Sequence, residues 1–140
     1  MILHPQLQQD CFILGRFELS LLLLLNDSQY PWFILVPQRE DMSEVHHLSP
    51  ADQQTLMQES CMLASAVETA FVADKMNTAV LGNVVPQLHI HHIARYTSDI
   101  AWPKPVWGAF PAKPYTDEEL MIVKQHIQSH LPTLQSLEIT

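Results

Sequence analysis

The chain has 140 residues, room for one ordinary domain spanning 1–140 and not two. Hydrophobic residues make up 47% and charged residues 16%, which excludes a disordered tail and fits a compact soluble fold. The formal charge of -8 argues against nucleic acid polymers as partners, because such binding needs many Lys and Arg to neutralise phosphates.

Met1-Ile2-Leu3-His4-Pro5 offers no basic stretch ahead of a long apolar segment. The run Leu21 to Leu25 is far short of the roughly 20 residues of a membrane helix, so no membrane association and a cytoplasmic location are expected. Cys11 and Cys61 form no CxxC pair and read as buried, reduced thiols. Phe12, Leu14, Phe17, Leu19 and Leu21 to Leu25 form apolar runs, and Asn26-Asp27-Ser28-Gln29 then reads as a turn. Trp32 to Val36 is a second β-rich run closed by Pro37, so this first third is expected to be a hairpin.

Ser49-Pro50-Ala51-Asp52 predicts a helix start: Ser49 as cap, Pro50 in the first turn, Asp52 completing a capping box. Leu56, Ser60, Leu63, Val67, Ala70 and Phe71 recur at three- and four-residue steps, and the helix is expected to end near Asp74. Strands are predicted over Asn77 to Leu81 and Leu88 to Ala94. An irregular loop should follow from Trp102 to Pro114. Thr116-Asp117-Glu118-Glu119 opens a short helix with Leu120, Val123, Ile127 and Leu131 on one face, and Pro132 stops it. The order describes an α+β domain with a mostly antiparallel sheet of about five strands.

The informative segment runs from Asn83 to Arg95 and contains Gln87-Leu88-His89-Ile90-His91-His92. Side chains alternate along a strand, so Gln87, His89 and His91 share one face and His92 takes the other. Imidazole with a reference pKa of about 6.5 is mostly neutral at pH 7. A neutral ring nitrogen can attack phosphorus and form a phosphoramidate that water then hydrolyses. A second histidine can steady non-bridging oxygens or protonate the departing group. Glutamine only donates and accepts hydrogen bonds.

This segment resembles the histidine triad family, whose signature is His-φ-His-φ-His-φ-φ with φ apolar. If His89 is placed first, the third triad position falls on Ile93, which has no chemistry. With Gln87 first, His89 is central and His91 third. Gly82-Asn83-Val84-Val85-Pro86 then matches the run preceding the triad, and Arg95 matches an arginine four residues beyond it. Leu25-Asn26, a turn, and Trp32 to Pro37 resemble the family's ribose-binding turn and following strand. Ala101-Trp102-Pro103 to Gly108 resembles a bacterial hydrolase branch of the family, with Gln in the first triad position.

The resemblance implies a homodimer with a shared sheet that cleaves nucleotidyl groups from phosphates, amines or dinucleoside polyphosphates. It makes His89 the nucleophile at the α-phosphate, with His91 and Gln87 as its catalytic partners. Asn83 and Arg95 would contact the nucleotide's phosphates and Asn26 its ribose. No metal or other cofactor is needed for such a nucleophile. The chain departs from the pattern at Gln87 and His92, and at Glu40, where many relatives have histidine. Two other readings stay open. One is a nucleotide-binding protein whose turnover has decayed. The other is a metal site built on His89 and His91, with His46 and His47 as further ligands. Apart from that reading, His46 and His47 belong to a solvated loop. Trp102 and Trp107 read as core packing, as a lid over a bound base, or as cover for a dimer seam.

Overall fold

The computed structural model describes residues 1–137. It contains α1 (Pro5–Asp10), β1 (Cys11–Arg16), β2 (Ser20–Leu25), β3 (Trp32–Pro37), α2 (Pro50–Phe71), β4 (Lys75–Ala79), β5 (Ile90–Arg95) and α3 (Asp117–Gln128). The strands form one five-stranded sheet in the order β1-β2-β3-β5-β4, with every pairing antiparallel. This is the expected α+β architecture, with one long helix and a shorter one near the C-terminus.

The first third is a three-stranded meander, where the sequence suggested a single hairpin. Both faces of β2 and β3 are covered, so their sequences run continuously apolar and hide the alternation that would mark each strand. Leu22, Leu24, Phe33, Leu35 and Ala94 pack on one face against Leu56, Leu63 and Val67 of α2. Leu21, Leu23, Trp32, Ile34 and Ile93 pack on the other face against Leu3, Leu7, Ala101 and Val106. Gly15 sits at a register shift where the 134–135 segment crosses β1. A Cβ there would stand 2.5 Å from the Gln135 carbonyl oxygen, so no larger residue fits without moving backbone.

Helix α2 begins as its sequence indicates, with Ser49 Oγ accepting from the Asp52 amide at 3.1 Å. Asp52 does not close a capping box; it takes a two-pronged bond from Arg39, at 2.7 and 3.1 Å. The helix stops at Phe71, three residues before the expected end, because Val72 turns into the left-handed region at φ 50°. Glu59 on the buried side of α2 accepts from the Leu19 amide at 2.9 Å and so holds the β1–β2 turn. The predicted strands at 77–81 and 88–94 lie one to two residues from the observed β4 and β5. Helix α1 was not anticipated. Cys11 is buried, but Cys61 is exposed, contrary to the expectation of two buried thiols.

Candidate active site

Antiparallel pairing of β5 between β3 and β4 decides what its side chains meet. His92 faces α2, where its Nε2 accepts from Ser60 Oγ at 2.7 Å and its Nδ1–H donates to the Ile90 carbonyl at 3.1 Å. Ser60 therefore supplies the polar partner that lets an imidazole occupy an apolar slot. His89 and His91 project from the opposite face. Their ring centroids are 4.8 Å apart, closer than the roughly 7 Å between same-face positions of a strand. Both are buried.

Hydrogen-bond partners fix the protonation of each ring. His89 Nδ1 lies 2.7 Å from the Gln87 carbonyl oxygen, which can only accept, so the proton sits on Nδ1. The Nε2 lone pair then has no hydrogen-bond partner among the described residues. His91 Nδ1 accepts from the Trp32 indole N–H at 3.0 Å, and its Nε2–H donates to the Leu81 carbonyl at 3.3 Å. Burial lowers the His89 pKa from the ordinary histidine value, opposed by the Gln87 carbonyl and reinforced by His4. Burial, reinforced by neighbouring His89, brings His91 down to about 4. Both rings are neutral at pH 7.

The remaining predicted residues fall in different places. Gln87 gives the site its carbonyl, while its side chain turns to the N-terminal segment: Oε1 accepts from the His4 amide at 2.8 Å and Nε2 donates to the Ile2 carbonyl at 3.1 Å. Asn83 is exposed in the loop that passes over His89. Gly82, just before it, is so close that an added Cβ would meet the Val85 carbonyl oxygen at 2.8 Å and His89 Cε1 at 3.6 Å. Asn26 is not brought alongside His89: it follows β2, beyond the row of Ile93, and its Oδ1 accepts from the Tyr115 amide at 2.9 Å.

Arg95 requires a correction. It is neither a surface charge nor a fork held out to a phosphate, being only 1% exposed. Its guanidinium donates to both Asp99 oxygens, to Asn77 Oδ1 and to the Lys104 carbonyl, at 2.8 to 3.1 Å. The Trp102 ring lies over it at 5.5 Å.

Trp32, His4 and the Leu81 carbonyl also belong to this site, and nothing in the sequence marked them for it. Trp107 stands edge-on to His91 at 5.2 Å and to Trp32 at 5.7 Å, and its indole nitrogen is buried without a partner among the described residues. Only the strand register brings these groups together, and no local motif announces it. A cavity of about 620 Å³ opens on the N-terminal side of the row, lined by Ile2, His4, Arg39, Met42, Pro86 and Gln87 among others; neither His89 nor His91 lines it. Among the described residues, no three His, Cys, Asp or Glu side chains converge as a metal-ligand set. His46 and His47 lie exposed in a short 3-10 turn. No described helix is long and apolar enough to cross a membrane.

The profile of the HIT domain matches residues 6–98. Among solved structures, a histidine triad protein from Marinobacter aquaeolei is 47% identical, with a TM-score of 0.92 over 95% of this chain and 97% of that one. One from Sinorhizobium meliloti is 42% identical, with a TM-score of 0.91 over 93% and 96%. One from Bradyrhizobium japonicum is 39% identical, with a TM-score of 0.91 over 92% and 96%. No curated protein matches the chain.

Proposed function

The chain belongs to the HIT domain family, and on that premise we propose that it is a nucleotidyl hydrolase or transferase acting through His89. The observation that carries the proposal is the Nδ1–H of His89 bound to the Gln87 carbonyl, which leaves a lone pair on Nε2 beside a second neutral imidazole. In this reading Nε2 attacks the α-phosphorus of a nucleotide or dinucleoside polyphosphate. The bond from phosphorus to the leaving group breaks, and the nucleotidyl group rests on His89 as a phosphoramidate. Water or another acceptor then releases the nucleotide. Positive charge developing on the His89 ring is stabilised by the Gln87 carbonyl, and His91 and Asn83 contact the phosphate oxygens. Arg95, spent on internal partners, has no part in this. A homodimer accompanies this reading, and the family's possession of a shared sheet makes the edge strand β4 its natural seam.

The test is a panel of adenosine and guanosine phosphoanhydrides and phosphoramidates, read by product formation and by mass spectrometry of the quenched enzyme. A nucleotidyl adduct on the His89 peptide, and turnover abolished in His89→Ala, is the expected result. Turnover that persists in His89→Ala sinks the proposal. A second reading, a nucleotide-binding protein without turnover, draws on how little of residue His89 reaches solvent, 5%. Thermal stabilisation by nucleotides with no product from any compound would favour it.

A further inference from the structure

We infer that Trp32 is a positioning residue that holds His91 as a neutral imidazole with its proton on Nε2, so that His91 serves as a hydrogen-bond donor to phosphate oxygen and not as an acid. This rests on the phosphate chemistry proposed above and deepens it. An indole N–H only donates, so at 3.0 Å from Nδ1 it requires a lone pair there. A neutral ring with a lone pair on Nδ1 carries its proton on Nε2. The other end of the ring gives the same answer independently, since Nε2 faces the Leu81 carbonyl, which only accepts.

The geometry also prevents escape from this state. An imidazolium would point Nδ1–H head-on at the indole N–H, and Trp32 is buried with no other acceptor on that nitrogen among the described residues. Trp32 sits on β3 one step diagonal to His91, because Trp32 pairs with Ile93 and Ile34 with His91. Tyr30 stands edge-on to Trp32 at 6.3 Å and Trp107 at 5.7 Å, and Trp107 also meets the His91 ring edge-on at 5.2 Å. The Leu81 contact is long for a hydrogen bond, so a phosphate oxygen that takes this proton replaces a weak partner.

The substrate class follows from what such a donor cannot do. When His89 Nε2 attacks a phosphoanhydride, the P–O bond breaks and its electron pair leaves on a phosphate oxygen, stable as an anion. Hydrogen bonding suffices for that departure. A phosphoramidate must expel nitrogen, which needs a proton, and a neutral imidazole N–H is a poor acid. The site therefore favours nucleoside phosphoanhydrides over nucleoside phosphoramidates.

Two measurements on the full chain test this. The first is nitrogen-15 NMR of the His91 ring in the parent protein, in Trp32→Phe, and in protein with benzothienylalanine at position 32, which keeps the shape of tryptophan without its N–H. The parent should carry its proton on Nε2 alone, and either replacement should give a mixture of tautomers. The second is steady-state kinetics on matched phosphoanhydride and phosphoramidate substrates. The parent should turn over the anhydride faster, and the replacements should lower kcat on it about tenfold, the equivalent of one net hydrogen bond, with KM little changed. A proton on Nδ1 in the parent, an unchanged tautomer with benzothienylalanine, or faster turnover of the phosphoramidate overturns the inference. If the parent turns over neither substrate, the hydrolase reading fails, while the NMR result still decides the role of Trp32.

Discussion

Replacing Arg95 with Met tests whether this arginine holds the fold or binds the nucleotide. The substitution keeps an apolar stem beside Tyr30 and Trp102 but removes every donor. Asp99, with a side chain only 3% exposed, loses both of its guanidinium bonds, and Asn77 Oδ1 and the Lys104 carbonyl lose one each. Burial alone would raise the Asp99 pKa. The Arg95 bonds, with the amides of Tyr96 and Trp102, outweigh it and leave the carboxyl below its ordinary range. Removing one partner of a buried pair costs about 3 to 5 kcal/mol, because the other charge stays behind uncompensated. For a chain of this length about 4 kcal/mol lowers Tm by about 14 °C. Adding Asp99→Asn removes the stranded charge, and the double variant should recover about 2 kcal/mol of the additive loss. The assay is thermal and urea unfolding, with stabilisation by a nucleoside monophosphate as a parallel readout of binding. A Tm loss under about 3 °C together with a tenfold weaker nucleotide response would refute the reasoning and return Arg95 to the phosphate.

Val72 ends α2 in the left-handed region, where a β-branched side chain is strained, and its side chain is exposed, so nothing is lost by trimming it. Val72→Gly should stabilise the protein by about 1 kcal/mol and raise Tm by about 3 °C, and an unchanged or lower Tm would count against the strain. The histidines make stability depend on pH. Burial lowers both His91 and His92 to about 4, whereas unfolded imidazoles titrate near 6.5. Between those values the unfolded chain binds more protons, so this contribution is complete above pH 6.5 and lost as pH falls toward 4. Relative to His92→Leu, the parent should lose stability over that window with a slope of about 1.4 kcal/mol per pH unit, and parallel curves would contradict a buried neutral His92.

The parts legible in the sequence were those fixed by neighbours in the chain. Ser49-Pro50 and the three- and four-residue recurrence of apolar positions locate α2, and Thr116, whose Oγ1 accepts from the Glu119 amide at 3.2 Å, locates α3. Strand alternation alone put His89 and His91 on one face and His92 on the other. What stayed hidden depends on distant partners. The turn between β1 and β2 passes through Phe17-Glu18-Leu19 with no Gly, Pro or Asn to mark it, and Glu59 on α2 holds it from forty residues away. Helix α1 is too short for periodicity to appear; Pro5 and the His4 ring, which accepts from the Gln6 amide, hold its first turn. Arg95 was legible only as a match to the family's arginine; its pairing with Asp99 and the closure of Trp102 over it were not.

The same distinction separates what the backbone and the side chain of Gln87 do. His89 needs an acceptor on Nδ1 so that its lone pair appears on Nε2, and that acceptor is the carbonyl of residue 87. Every residue type brings a carbonyl, so the orientation of the His89 ring survives any side chain that keeps the same backbone path. The side chain at 87 is thereby released for other work, and here its amide ties down Ile2 and His4. A histidine ring at this position offers one donor and one acceptor on a rigid frame, whereas the glutamine amide meets an N–H and a C=O of the same extended segment in parallel. Gln87→His should therefore free the N-terminal segment, seen as faster amide exchange at His4, while leaving the Nδ1–H tautomer of His89 in place. Loss of that tautomer in the variant would show that the backbone path, and with it the His89 ring, depends on the glutamine after all.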